Sequence, residues 1–344
     1  MLVTKEIYYR MISKIISYTF RHKKLFTTLI ILLFTYMFTC FSKFSLDGYP
    51  HVIKRINYEL NKDNSKIKLT CNKCFTLNVS YLINNKSICK NDAPDKTIDI
   101  LILISTVSDH FETRQTLRST WLNYTRKNTA NVRYVFLLGD RSDYGAQMSD
   151  IKENAKYKDI IKGSFIDTYR NLTYKTILGL KWAVSFCSTA KFVLKTDDDV
   201  YVNIPNILKL INNKKEDLDK ALVGHCTSIQ AVERRVSSKS YIPKNIYTND
   251  MYLPFCSGTG YISSMDLIKD IYKVSINVTF FPLEDVYIGM CAKVLSAKLI
   301  DIKGFKSDTS KRNHCILKDK NVYTIHNVSS SELKYIWTSF CPGL

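Results

Sequence analysis

Three consecutive carboxylates, Asp197, Asp198 and Asp199, follow the apolar run Phe192, Val193 and Leu194 in the stretch KFVLKTDDDVYVN. Adjacent carboxylates repel one another unless a cation or hydrogen-bond donors compensate. A hard divalent cation takes carboxylate oxygens and leaves positions open for phosphate oxygens. Side chains alternate along a strand, so Asp197 and Asp199 should share one face and Asp198 the other. Taken alone, the triplet is as well read as a solvated acidic turn. The strand before it shifts the balance, because α/β sheets bind ligands at the carboxyl ends of their strands.

Further groups suit the same chemistry. Glu284 and Asp285 open a helix expected over 282–297, PLEDVYIGMCAKVLSA. The dipole of a helix N-terminus favours acids there for stability alone. It also predicts a low pKa for Asp285, ionised at neutral pH. Gly258 and Gly260 in FCSGTGYIS let a backbone approach a ligand, or mark a bulge. Arg114 and Arg118, four apart on a helix expected over 112–121, share a face that suits an anion or simply faces solvent. His314 and His326 stand apart in the tail, and an isolated histidine is more often structural than a ligand.

The elements that must position these groups alternate. Strands are expected at 98–105, 131–138, 192–194, 221–226, 255–263 and 298–302, and helices at 112–121, 145–156, 171–187, 205–211 and 282–297. Such alternation predicts an α/β domain with a mainly parallel central sheet. The polar stretch 227–254 reads as a loop.

The chain has 344 residues and a net charge of +19, from 50 Lys and Arg against 31 Asp and Glu. The basic surplus is spread out, with no dense run interleaved with aromatics, which argues against nucleic acid and leaves anionic substrates or a membrane surface. Residues 25–41, LFTTLIILLFTYMFTCF, carry no charge and approach the length needed to span a bilayer. Arg21, His22, Lys23 and Lys24 precede them, so the positive-inside rule places a cytoplasmic tail at 1–24 and an uncleaved anchor at 25–41. A polar stem at 42–95 and a catalytic domain at 96–344 follow. Nine cysteines lie beyond the anchor, which in an oxidising compartment predicts disulfides with at least one thiol left over. Sequons fall at Asn78, Asn85, Asn123, Asn171, Asn277 and Asn327, all after the anchor.

Taken together, RQTLRSTW at 114–121, FLLG at 136–139, FIDTYRNLTYKT at 165–176, KFVLKTDDDVYVN, FCSGTGYISS at 255–264 and EDVYIGMCA at 284–292 resemble the β1,3-glycosyltransferase family. That family includes the β1,3-galactosyl- and β1,3-N-acetylglucosaminyltransferases and, more distantly, fringe. The resemblance implies a GT-A fold, a type II Golgi membrane protein, a UDP-sugar donor, a glycan, glycoprotein or glycolipid acceptor, and manganese. By position it implies Asp199 and His326 as metal ligands. Arg114, Arg118, Asp197 and Asp198 fall to the UDP-sugar, Asp285 to the catalytic base, and Gly258, Thr259, Gly260 and Glu284 to the donor and acceptor pocket. Two departures stand out: Leu122 replaces a usual glycine after the tryptophan, and Thr259 replaces another. The implied activity is inverting transfer of a hexose, galactose or N-acetylglucosamine, in β1,3 linkage. The alternatives are an inactive relative that binds glycans or a partner, and a receptor domain whose carboxylates hold calcium.

Overall fold

The run Ile98–Ser105 forms the strand on which the sheet is built, and only Asp99 within it escapes full burial. A strand covered on both faces needs apolar residues at successive positions, as a parallel strand between helix layers does. The computed structural model describes residues 69–90, 97–213, 215–228, 230–307, 315 and 318–341. The tail, the anchor at 25–41 and the first part of the stem lie outside them. No helix among the described residues is long and apolar enough to cross a membrane.

In chain order the strands are β1 (Tyr81–Ile83), β2 (Ile98–Ser105), β3 (Val132–Asp140), β4 (Ile160–Ile166), β5 (Ala190–Asp197), β6 (Tyr201–Val202), β7 (Ala221–Thr227), β8 (Phe255–Ser264), β9 (Lys298–Asp301), β10 (Phe305–Lys306) and β11 (Thr324–Ile325). The helices are α1 (Phe111–Ser119), α2 (Tyr144–Tyr157), α3 (Leu172–Phe186), α4 (Ile204–Asn213), α5 (Lys215–Leu218), α6 (Met265–Ser275), α7 (Glu284–Val294) and α8 (Ser330–Thr338). The main sheet runs β1-β4-β3-β2-β5-β8-β7-β9. Its pairs β2/β3, β3/β4, β2/β5 and β7/β9 are parallel, and β1/β4, β5/β8 and β7/β8 are antiparallel. The mainly parallel α/β sheet expected from the sequence is therefore present, with antiparallel strands mixed in.

Alternation sorts β2 between two cores. Leu101 and Leu103 pack on one side with Ile177 and Leu180 of α3 and Val286 of α7. Ile100, Ile102 and Ile104 pack on the other with Leu117 of α1 and Ile204 and Ile207 of α4. From β2 the chain moves outward to β3 and β4, then returns to place β5 on β2's other edge. That reversal opens a crevice at the strands' carboxyl ends, where Ser105 is the register partner of Asp197.

A second, three-stranded sheet in the order β10-β11-β6 brings the tail to this crevice. β11 pairs antiparallel with β6, matching Ile325 to Tyr201, and the Val328 amide donates to the Asp199 carbonyl. Two-residue strands carry no periodicity, so the sequence showed neither this sheet nor its purpose.

The stem boundary at 95 needs correction. β1 pairs with β4, Phe75, Val79 and Ile88 are buried, and Cys89 is bonded to Cys187 at the end of α3. Residues 69–90 thus pack into the domain. The other disulfides join Cys71 to Cys74, Cys226 to Cys256 and Cys315 to Cys341, leaving Cys291 as a buried free thiol. Cys71 and Cys74 form one of the disulfides expected in an oxidising compartment. One sequon asparagine is engaged within the domain. The Asn85 side-chain nitrogen donates to Asn154 Oδ1 and to the Ile160 carbonyl, each at 2.7 Å. A glycan replaces one of those two hydrogens, so both bonds cannot survive glycosylation at Asn85.

Candidate active site

β5 delivers the carboxylate triplet to the crevice, and the three side chains part as strand geometry requires. Asp198 turns to Thr106 and His110 beyond β2, with His110 Nδ1 2.8 Å from Asp198 Oδ2. The Asp198 hydrogen bond raises the His110 pKa. Asp197 and Asp199 face the other way. A cavity of about 160 Å³ opens there, lined by Asp197, His326, Lys195, Gly258, Glu284 and Asp285 among others.

Lys195, which the sequence reading passed over, ties the floor of this cavity together. Its ammonium is 2.8 Å from Asp197 Oδ1, 2.7 Å from Glu284 Oε1 and 2.7 Å from the Gly258 carbonyl. Desolvation opposes the charge on this buried lysine, and the carboxylates of Asp197 and Glu284 outweigh it, so its pKa rises. One ammonium serves two carboxylates, and burial pushes Glu284 up to about 7. Thr176 and Tyr261 hydroxyls donate to Glu284 Oε2 at 3.0 and 3.3 Å. Glu284 is thereby a support beneath the cavity, only 4% exposed.

Asp285 stands beside it and lines the open space. Its Oδ2 accepts from the Gly258 amide at 3.2 Å and its Oδ1 from its neighbour Val286 at 2.9 Å. The low pKa expected from the helix dipole is not found: burial pushes the carboxyl above its ordinary value, with the two amides pulling back. Desolvation at the cavity floor exceeds the dipole's effect. The result is a stronger base than an ordinary aspartate.

Gly258 has a specific reason to be glycine. A Cβ there would lie 2.5 Å from Glu284 Oε1 and 3.4 Å from Lys195 Nζ. Gly258→Ala should therefore displace the ion pair and, with it, the amide that orients Asp285. We expect turnover about 10- to 100-fold lower, from misplacement of the base, with a stability loss of about 1–3 kcal/mol. Steady-state kinetics beside thermal melting would check it, and unchanged turnover would free Asp285 from this backbone. Gly260 meets a different constraint, with Thr324 of β11 3.1 Å from where its Cβ would sit. The Thr259 carbonyl accepts from Thr196, and its hydroxyl lies 3.1 Å from Ser257 Oγ, so the departure at this position keeps a hydrogen-bonding wall.

Asp199 and His326 fit a divalent cation. His326 Nδ1 is 3.0 Å from the Ser307 carbonyl, which can only accept, so Nδ1 carries hydrogen. Nε2 then points at Asp199 Oδ2 from 3.2 Å. Without a proton on Nε2, a lone pair faces a carboxylate, an arrangement a cation would satisfy. Asp199 Oδ1 is buried with no hydrogen-bond partner. With no cation bound, a proton on Nε2 takes its place: burial opposes ionisation of Asp199, and the hydrogen bond and charge of the protonated His326 together with smaller contributions outweigh it, holding the carboxyl low. Among the described residues no cluster of three or more His, Cys, Asp or Glu could hold a metal. Two protein ligands would leave the remaining positions to phosphate oxygens and water.

Arg114 and Arg118 are corrected. Arg114 is 1% exposed, with its guanidinium bonded to Glu153 and to the carbonyls of Val107 and Ser108. Arg118 pairs with Glu153 and forks onto Asp159 with two bonds of 2.8 Å, its guanidinium 4.9 Å from the centre of the Phe136 ring and 4.0 Å from that of Tyr157. Neither lines the cavity. Arg114 instead shapes the 106–108 turn against which Asp198 rests, a positioning role. Leu122, the other departure, is buried against the same core as Trp121.

A family model described as galactosyltransferase matches residues 112–303. β1,3-galactosyltransferase 1 of Homo sapiens and that of Mus musculus are each 36% identical over 258 residues, 75% of this chain and 77% of theirs. β1,3-galactosyltransferase 2 of Homo sapiens is 32% identical over 261 residues, 75% of this chain and 61% of its own length. Among solved structures, the apo WbbM bifunctional glycosyltransferase covers 72% of this chain and 50% of its own at 12% identity, with a TM-score of 0.39.

Proposed function

The chain belongs to the β1,3-galactosyltransferase family, and from that premise we propose inverting transfer of galactose from UDP-galactose to a glycan hydroxyl in β1,3 linkage. The observation that carries this reading is one cavity lined by both a base and a histidine paired to an aspartate of the triplet. Asp285 stands on its floor, and His326, against Asp199, stands on its wall. In the reaction Asp285 takes the proton of the acceptor hydroxyl. The hydroxyl oxygen bonds to the anomeric carbon as the bond from that carbon to UDP breaks, from the opposite face, so an α donor gives a β product. Asp197 suits the nucleotide ribose and Asp198 holds the turn after β2. Asp199 and His326 would hold manganese, which when bound neutralises charge on the departing diphosphate.

The mixed sheet and its carboxyl-end crevice support a GT-A assignment. A type II Golgi anchor at 25–41 is part of the same proposal, supported by the basic flank, the sequons and four disulfides in the domain.

The test is Asp199→Ala. We expect manganese-dependent UDP affinity to fall by at least about tenfold, the scale seen when metal sites lose even supporting groups. Calorimetric titration reads it directly, with thermal melting to show that the domain folds. Unchanged affinity would return the triplet to a solvated turn. Transfer of galactose to methyl β-N-acetylglucosaminide or methyl β-galactoside by the wild type, followed by mass spectrometry, separates an enzyme from an inactive relative.

A further inference from the structure

One wall of the catalytic cavity is unlike the rest. Asp197 and His326 mark the nucleotide side, and Asp285 the floor. Beside the polar Ser257, Gly258 and Thr259, the remaining lining includes Tyr169, Leu172, Lys239, Pro282 and Leu283, a group that is aromatic and apolar with one cation. Tyr169 is 39% exposed and lies at the end of the FIDTYRN stretch, just before α3. Burial raises its pKa first, and the charges of Asp285 and then Asp197 raise it further, so the phenol stays neutral and lies within electrostatic reach of both. The Lys239 ammonium sits 5.3 Å from the centre of the Tyr169 ring. Among the described residues it pairs with no carboxylate. The 227–254 loop that carries Lys239 is tied down beside it, with Arg170 donating to the Tyr241 carbonyl at 2.6 Å.

Resting on the transferase reading above, we propose that Tyr169 and Lys239 form the acceptor subsite. Tyr169 offers its ring to the C–H face of the acceptor's terminal hexose, and Lys239 donates to that sugar's hydroxyls. Three features favour an acceptor over the donor here. A hexose presents an apolar face of C–H bonds beside a rim of hydroxyls, which an aromatic ring with a neighbouring donor matches. The base must be within hydrogen-bond reach of the reacting hydroxyl, and this wall borders Asp285 on the same cavity. Of Asp199 and His326, where a diphosphate belongs, His326 lines this cavity and Asp199 stands behind it. The ligand class is a glycan ending in a neutral hexose. Because Lys239 comes from the loop rather than from the sheet, the loop sets which acceptors are taken.

The test uses the full-length chain and separates donor from acceptor. With UDP-galactose and manganese, initial rates are measured on whichever of methyl β-N-acetylglucosaminide and methyl β-galactoside the wild type uses. Tyr169→Ala should raise the acceptor KM about tenfold, the scale of a lost stacking contact. Acceptor-independent hydrolysis of UDP-galactose and the donor KM should stay within about twofold, since neither Tyr169 nor Lys239 makes a hydrogen bond or ion pair with Asp197, Asp199 or His326 among the described residues. Tyr169→Phe should restore the acceptor KM, because the ring and not the hydroxyl makes the contact. Lys239→Ala, on an exposed loop position where folding is not at stake, should raise the acceptor KM about threefold with the donor KM unchanged. An unchanged acceptor KM in both alanine variants would overturn the subsite. A donor KM rising in step with the acceptor KM would also overturn it and assign the wall to the nucleotide. Failure of the wild type to transfer galactose to either glycoside would instead sink the transferase reading on which the subsite rests.

Discussion

Asp285→Asn should lower turnover by about 100-fold or more, the scale on which general bases contribute, while UDP and manganese affinity stay within about threefold of wild type. The separation follows from position. Asp285 lines the cavity floor, held by the Gly258 and Val286 amides, and makes no contact with Asp199 or His326. Asparagine keeps the shape and its carbonyl oxygen can still accept from one of the two amides, while its NH2 faces the other, so only a small local shift is expected. What it loses is the capacity to take a proton. The raised pKa adds a second signature. The acid limb of the wild-type pH–rate profile should lie above the ordinary aspartate range, because activity needs the ionised form. That limb should disappear in the residual activity of the variant. Near-normal turnover would return Asp285 to a helix-capping role. Glu284→Gln is the informative neighbour. Its carboxylate faces Lys195, Thr176 and Tyr261 beneath the cavity rather than the space itself, so its effect on turnover should be the milder one.

What the sequence makes legible here is what depends on local pattern. The apolar run of β2 announced a strand, and the division of Asp197 and Asp199 from Asp198 follows from a period of two. Long-range pairing is where reading fails. Arg114 and Arg118 look like a free basic face because their carboxylates, Glu153 and Asp159, come 39 and 41 residues later. Helical spacing shows which side chains share a face and says nothing of what covers that face. The low pKa inferred for Asp285 failed for a related reason. The helix dipole is visible in the sequence, whereas the desolvation that exceeds it arises from residues folded over the site. Tyr169 and Lys239 could have been found only in part. The stretch FIDTYRN drew attention as a unit, but nothing in a polar loop of ordinary composition marks Lys239 for the cavity.

Lys195 was the least legible functional residue, and its replacement should have the largest effect on stability. A lysine just before an acidic triplet reads as one more solvated charge at a strand end. In the fold it is 1% exposed and bridges Asp197, on the nucleotide side, to Glu284, next to the base. Lys195→Met keeps the length of the side chain and removes the charge. Asp197, with 30% of its side chain exposed, can recover water through the cavity. Glu284, at 4%, cannot. Removing one member of a buried ion pair typically costs about 3–5 kcal/mol because the partner stays behind unpaired. Glu284 can limit the cost by binding a proton, so about 3 kcal/mol is expected near neutral pH, the lower end of that range. The direction with pH then follows. Its folded pKa, about 7 with the lysine present, already exceeds the ordinary 4.5 and should climb further without it. A folded state that binds the extra proton loses stability as pH rises from the unfolded pKa through the folded one. The variant's deficit should therefore widen between about pH 5 and pH 8 and shrink in acid. Denaturant melts across that range would show it. Adding Glu284→Gln to Lys195→Met should recover a large part of the loss at pH 8, since no buried carboxylate then lacks a cation. A deficit that is flat with pH and unrelieved by the second change would mean that Lys195 acts through packing alone. In that case its bridge between the nucleotide side and the base would carry no electrostatic coupling.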